Sequence, residues 1–277
     1  MKFQFLPENF SRSENAPPFE TRKFCHFEVE RIFLENKKML QENIAGAIVS
    51  HKSPLLPWFR KNGVPVVYCS SLNPDNAFSS VSPDFYRGSY DITEYLISEG
   101  HRKIGLLSVG DSENQGSFIS RCQGYTDAMS DHGLKSYPPL PWHVGVPSSR
   151  EKLERMIYDK EAPSALFVTN DVMGVEVIST LQKMGLKIPE DISVAGFEDM
   201  RCSQRSHPSL TTVSYDKRQL ALETVSLLDA LISGKESGIV ERRIPMKIVI
   251  RDSVRKINSF PLSHTSLTTE KELLYEN

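Results

Sequence analysis

The sequence predicts an α/β fold built on parallel sheet with helices on both faces. Three observations carry this. From about residue 45 to 215, short apolar runs alternate with segments of helical periodicity. That is the order of repeated βαβ units, whose right-handed crossovers require a parallel sheet. The best of these runs, Ala165-Leu166-Phe167-Val168, is apolar at every position, as in strands buried on both faces. Finally, Ser164 to Met200 forms one complete strand–helix–strand unit with polar residues at both strand ends.

Ala45 to Ser50 reads as a buried strand, and Leu55 to Asn62 as a short helix closed by Gly63. Val64 to Tyr68 is a strand, Tyr86 to Ser98 a helix ending at Gly100, and Lys103 to Val109 a strand. Phe118 to Asp131 is a helix ending at Gly133. After Val168 comes Thr169-Asn170-Asp171, a cluster of residues that cap helix N-termini. Val172, Val175, Val177, Ile178, Leu181 and Met184 then recur at mostly helical spacing, and Gly185 stands where a left-handed cap belongs. Ile192 to Phe197 is a second buried strand, ending in Glu198-Asp199. Leu210 to Val213 is extended, and Leu220 to Ile232 is an amphipathic helix stopped by Ser233-Gly234. Glu241 to Arg251 alternates around Ile244, Met246, Ile248 and Ile250, the pattern of a late antiparallel edge strand. Ahead of these elements, Lys2 to Leu6 reads as a strand, Phe10 to Lys23 as a loop and Phe27 to Glu42 as a helix; Lys256 to Asn277 is a polar tail.

At 277 residues the chain can bury a sizeable core, and with 39% hydrophobic and 25% charged residues its composition is that of a globular protein. A net charge of −2 argues against a dedicated nucleic-acid surface, which is usually strongly basic. No apolar run is long enough to span a membrane. The first ten residues lack the apolar core and cleavage site of a secretion signal, so the expected location is the cytoplasm. The four cysteines (Cys25, Cys69, Cys122, Cys202) have no metal-binding spacing and read as free thiols; the seven histidines are scattered. No metal or cofactor is expected. Enzyme signatures are absent: there is no nucleophile elbow, Walker loop or dinucleotide glycine fingerprint. Glu198 and Asp199 are adjacent at a strand end, so their side chains diverge, which suits no paired-carboxylate mechanism.

In open parallel sheets, ligands bind in the crevice beyond the carboxyl ends of the strands. Asn170 and Asp171 end one strand here, and Glu198 and Asp199 end the next.

Four segments resemble the effector-binding domain of lactose-repressor/galactose-repressor-type transcription regulators. Leu96-Ile97-Ser98-Glu99-Gly100-His101-Arg102-Lys103-Ile104 is similar to that family's helix–Gly-His-Arg–strand passage. Arg121-Cys122-Gln123-Gly124-Tyr125 is similar to its Arg-x-x-Gly-Tyr helix. Phe167 to Met173 with Ile188 to Asp199 resembles its Asn-Asp and Pro-Glu-Asp-Ile-Ser-Val segment, the most specific of the four. Pro208 to Val213 resembles its Pro-Leu-Thr-Thr turn.

The resemblance implies two doubly wound parallel-sheet lobes of the periplasmic-binding-protein-like type, joined by three crossovers. The crossings are expected near Val109-Gly110, near Val213-Ser214 and after Gly234. That assigns residues 1–110 and 214–235 to an N-terminal lobe, 111–213 and 236–258 to a C-terminal lobe, and 259–277 to the tail. The family opens this domain with two strand–helix units before the strand matched by Ala45 to Ser50, whereas this chain has room for one.

The resemblance also implies a site between the lobes. Arg121 occupies the effector-binding arginine, whose planar fork suits adjacent hydroxyls or a carboxylate. Asn170 matches a strand-end amide that both donates and accepts. Glu198 stands where the family usually has Asp. Asp84 matches the aspartate of a family turn. Its following Asn is replaced by Phe85, with Tyr86 and Arg87 next, which offers a stacking ring and a cation. Ser117 lies one helical turn before Arg121. Asp171 caps or braces.

The implied function is a cytoplasmic ligand-sensing domain that binds a sugar or sugar derivative. It works as a homodimer and reaches operator DNA only through a segment absent from this chain. The rival readings are a sugar-binding receptor feeding a transporter, which shares the fold, and a stand-alone domain that acts by dimerising with full-length relatives. Arg121 and Glu198 fit a neutral sugar, a sugar acid or a phosphorylated sugar alike.

Overall fold

The computed structural model describes residues 44–50, 55–69, 77–109 and 116–257. The strand expected at 2–6, the loop at 10–23, the helix at 27–42 and the tail from 258 onward lie outside the described residues.

Two parallel sheets organise the chain. The first has the order β1-β2-β3-β9, from Ala47–Val49, Val66–Cys69, Ser79–Pro83 and Glu241–Ile244, all pairing in parallel. Its two faces follow the strand alternation. Val66 and Tyr68 turn toward α1 (Leu56–Lys61) and Phe59. Val67 and Val81 turn toward α6 (Lys217–Ile232) and its Leu220, Leu227 and Leu228. The second sheet has the order β5-β4-β6-β7, from Leu140–Trp142, Ile104–Val109, Ala165–Val168 and Ser193–Ala195, again all parallel. Ala165 and Phe167 pack beneath α2 (Phe85–Ser98) and α3 (Gly116–Asp131) with Ile92, Leu96, Tyr125 and Met129. Leu166 and Val168 pack on the opposite face, against Leu153 of α4 (Pro147–Ile157) and Met173, Val177 and Leu181 of α5 (Asp171–Lys183). Both faces of β6 are covered, which is why its sequence is apolar throughout. An antiparallel ribbon of β8 (Thr212–Tyr215) and β10 (Met246–Val249) completes the described fold.

The chain passes between the lobes after β3, after β8 and after β9. The first passage, at Pro83–Asp84, lies earlier than the expected Val109-Gly110. The reason is packing: Phe85, Ile92 and Leu96 of α2 share one core with Ile104 and Phe167, and β4 pairs with β5 and β6. Residues 84–109 therefore belong with the second sheet. The expected strand over 241–251 is also two strands. Pro245 separates β9, which is parallel in the first sheet, from β10, which is antiparallel to β8. The stretch from Glu241 to Ile244 thus belongs to the first lobe.

The Gly-His-Arg passage has a physical reading. Gly100 takes φ 98°, the left-handed region that closes α2 without side-chain strain. Arg102 donates to the carbonyls of Ile97 and His101, at 2.8 and 3.0 Å, satisfying the helix end. His101 is fully buried beside Ser164 at 2.9 Å, and burial pushes its imidazole down to about 4, so it is neutral.

Candidate functional site

The carboxyl ends of β6 and β7 lie beside the first two crossings. Asn170 caps α5 there: its Oδ1 accepts from the amides of Val172 at 2.9 Å and Met173 at 3.4 Å. Its Nδ2 donates to Glu198 Oε2 at 3.2 Å. Glu198 Oε1 accepts from Arg121 Nη2 at 2.7 Å. These three side chains form one chain of contacts, with Arg121 only 9% exposed.

Arg121 reaches this point because α3 is drawn against α2. Ser89 Oγ donates to the Arg121 carbonyl at 2.6 Å, and Gly124, one turn on, lets the two backbones meet. The guanidinium lies over the rings of Phe85 at 4.6 Å and Phe197 at 4.7 Å, so two aromatic faces favour its charge. Burial lowers the Arg121 pKa and Glu198 partly offsets this; an arginine remains charged regardless. Its Nε is buried without a hydrogen-bond partner among the described residues.

Glu198 and Asp199 both have positive φ, 100° and 49°. Non-glycine residues hold such angles only when their surroundings fix them. Here the Glu198 amide donates to Val213 O at 2.8 Å, and Asp199 Oδ1 accepts from Arg251 at 2.5 Å. Burial alone would raise the Asp199 carboxyl, but Arg251, with Ser214 and Ser203, holds it below its ordinary value. Asp171 is fully buried. It accepts from Thr212 Oγ1 and from the Met200 amide, both at 2.6 Å. Burial raises its carboxyl to about 6, with the Glu198 charge adding to the effect.

The other expected residues divide. Ser117 is buried, one turn before Arg121 on α3. Asp84 caps α2, accepting from the Arg87 amide at 3.0 Å, right at the first crossing. Phe85 supplies a stacking ring, to Arg121. Tyr86 and Arg87 are not brought to the cluster. Tyr86 donates to Asp127 at 3.0 Å across the exposed side of α2 and α3, and Arg87 pairs with Asp91 at 2.7 Å. The helical turn after Phe85 carries them outward.

Sequence reasoning did not single out Phe197 as a platform, nor Tyr215. Tyr215 ends β8 at the second crossing. Burial raises its hydroxyl pKa, and the charges of Glu198 and Arg121 are close enough to act on it. Its position at a crossing is the one signal that would have found it. A shallow groove of about 730 Å³ lies elsewhere, lined by Asp91, Glu94, Arg102 and His132 on the outer side of α2. Its charged groups are already engaged by Arg87, by one another or by backbone.

The cap formed by Asn170 can be separated from the ligand contact that the family resemblance implies for it. Asn170→Asp keeps a good cap, so the capping contribution alone should change by less than about 1 kcal/mol. It loses the donor to Glu198 and sets two carboxylates face to face. The wild-type ligand-induced thermal shift is therefore expected to disappear in this variant, and its survival would remove Asn170 from the site.

Two parallel-sheet lobes, joined by three passages and carrying a polar cluster at strand carboxyl ends beside two of them, define a two-lobed ligand-binding domain. A family profile described as a periplasmic binding protein-like domain matches residues 93–254. The chain belongs to that family, and it is an effector-binding domain of the lactose-repressor/galactose-repressor type. It is 33% identical over 192 residues to the HTH-type transcriptional repressor PurR of Histophilus somni (strain 129Pt), covering 68% of this chain and 54% of that protein. The chain thus spans about half the length of this relative. A crystal structure of a LacI transcriptional regulator from Bacillus cereus subsp. cytotoxis NVH 391-98 superposes with a TM-score of 0.70 at 25% identity, covering 83% of each chain. The complex of the transcriptional regulator CelR with cellobiose has the same fold, with a TM-score of 0.70 at 23% identity, covering 83% of this chain and 71% of that one.

Proposed function

We propose that this chain senses a neutral, polyhydroxylated small molecule of the sugar class, bound between its lobes, on behalf of a transcription regulator. The observation that carries this reading is the Arg121–Glu198–Asn170 network. Its positive and negative charges sit 2.7 Å apart, so it offers a ligand no net charge. Glu198 accepts, Arg121 donates, and Asn170, whose Oδ1 is held by the Val172 and Met173 amides, has a second Nδ2 hydrogen to donate. A sugar hydroxyl both donates and accepts, so neighbouring hydroxyls suit this alternation. A phosphate or carboxylate would have to displace Glu198 from Arg121 or lie against its charge. The cellobiose bound by CelR, a protein of the same fold, is a ligand of the class proposed.

A ligand touching both lobes draws them together about the three passages. A homodimer of such chains in the cytoplasm would carry this closure to a DNA-binding segment outside this chain. Thermal-shift measurement against neutral pentoses, hexoses, disaccharides and their phosphorylated counterparts tests the ligand class. At a hundredfold excess over Kd, a ligand stabilises the fold by about 2.7 kcal/mol. For a chain of this size that is a rise of about 5–10 °C in Tm. At least one neutral sugar is expected to give it. Shifts from phosphorylated sugars alone would sink the neutral-ligand reading.

A further inference from the structure

We propose that Asp171 is a positioning residue that couples the ligand-reading turn of Glu198 to β8, the strand that carries the chain through its second passage. This coupling rests on the proposed function only in taking Glu198 as a ligand contact. The Asp171 carboxylate reaches three segments at once. It stands in the first turn of α5, directly after Asn170. Its Oδ2 accepts from the Met200 amide, closing the turn in which Glu198 and Asp199 hold positive φ. Its Oδ1 accepts from Thr212 Oγ1 on β8. The same two segments meet again where the Glu198 amide donates to Val213 O at 2.8 Å. Gly196 leaves the room for this, since a Cβ there would collide with Asp171 Oδ1.

Asp171 and Thr212 are both fully buried, so each donor and acceptor depends on the other. An ionised carboxylate satisfies both donors. An amide at the same place would satisfy one and leave the other hydrogen without an acceptor. A displacement of β8 is therefore transmitted to Met200 and so to the turn that aims Glu198. In the other direction, a ligand that reorients Glu198 pulls on the strand that leads into the first lobe.

Replacing Asp171 itself risks unfolding, so the test uses its partner. Thr212→Val keeps the volume and removes the hydroxyl; Thr212→Ser keeps the hydroxyl and removes the methyl. Hydrogen exchange of the ligand-free chain is read at the Met200 amide, with the amides of α3 as an internal reference. In Thr212→Val the Met200 amide should exchange about tenfold faster while α3 is unchanged. In Thr212→Ser it should keep wild-type protection. A merely volumetric role for Thr212 predicts the opposite order. The inference is overturned by wild-type protection of Met200 in the valine variant, or by equal loss in both. If the exchange result is as expected and no neutral sugar shifts the wild-type Tm, the coupling stands and the sugar reading falls.

Discussion

Replacing Arg121 with alanine is expected to abolish the sugar-induced thermal shift and to lower unfolding stability by about 3 kcal/mol. Losing one partner of a buried ion pair costs roughly 3–5 kcal/mol, because the other charge is left buried. Glu198 keeps 29% of its side chain exposed, so water relieves part of that cost and the low end applies. The same truncation removes the guanidinium from the rings of Phe85 and Phe197, and those contacts are part of that cost. Arg121→Lys should fall between: it keeps a charge for Glu198 but has no planar group to lie between Phe85 and Phe197. Urea unfolding of the three proteins measures this. An alanine variant as stable as wild type would mean that the Arg121–Glu198 contact carries little in solution.

The second large effect is expected at Gly124. A Cβ there would lie 2.9 Å from the Tyr90 amide nitrogen and 3.0 Å from Ser89 Cβ, and closer still to the Tyr86 carbonyl. Backbone atoms of α2 cannot rotate aside, so the two helices must part. Overpacking typically costs about 1–3 kcal/mol. Gly124→Val should reach the upper end and lose the Ser89–Arg121 hydrogen bond with it. Because Arg121 lies one turn away, ligand affinity should fall as well. Gly116 opens the same helix, and a Cβ added there would meet nothing within 4 Å among the described residues, so Gly116→Ala serves as the neutral control. Equal stability of Gly124→Val and Gly116→Ala would contradict the close helix contact that aims Arg121.

The unit from Ser164 to Met200 is legible in the sequence because burial on both faces of β6 and β7 leaves contiguous apolar runs, and because Asn170 announces the helix that follows. β3 is not legible. Ser79, Ser80 and Ser82 interrupt its pattern, yet the strand is buried, with the Ser79 hydroxyl on Gly238 O and Ser82 accepting from Arg243. A serine-rich run reads as a loop until its partners are known. α4 escapes sequence reading because it buries only Ser149 and Leu153. The first crossing, placed from the family resemblance, falls too late because the sequence does not say which core Phe85 and Ile92 join.

Within the site, Arg121, Asn170 and Glu198 stand out through the family resemblance, and Asp171 as a cap or brace. Thr212 and Tyr215 come from a crossing strand whose importance depends on where the chain passes between sheets. Tyr86 and Arg87 show the reverse error, since adjacency to a crossing does not bring them to the cluster.

Glu198 and Arg121, by neutralising each other, are proposed to select an uncharged hydroxylated ligand. Calorimetric titration of the wild-type chain with one neutral sugar and its phosphorylated form tests this most directly. The sugar used should be the one giving the largest thermal shift. The neutral form is expected to bind at least tenfold more tightly, a difference of about 1.4 kcal/mol. Tighter binding of the phosphorylated form would overturn this selectivity, because it would mean that Arg121 meets an anion without Glu198 opposing it.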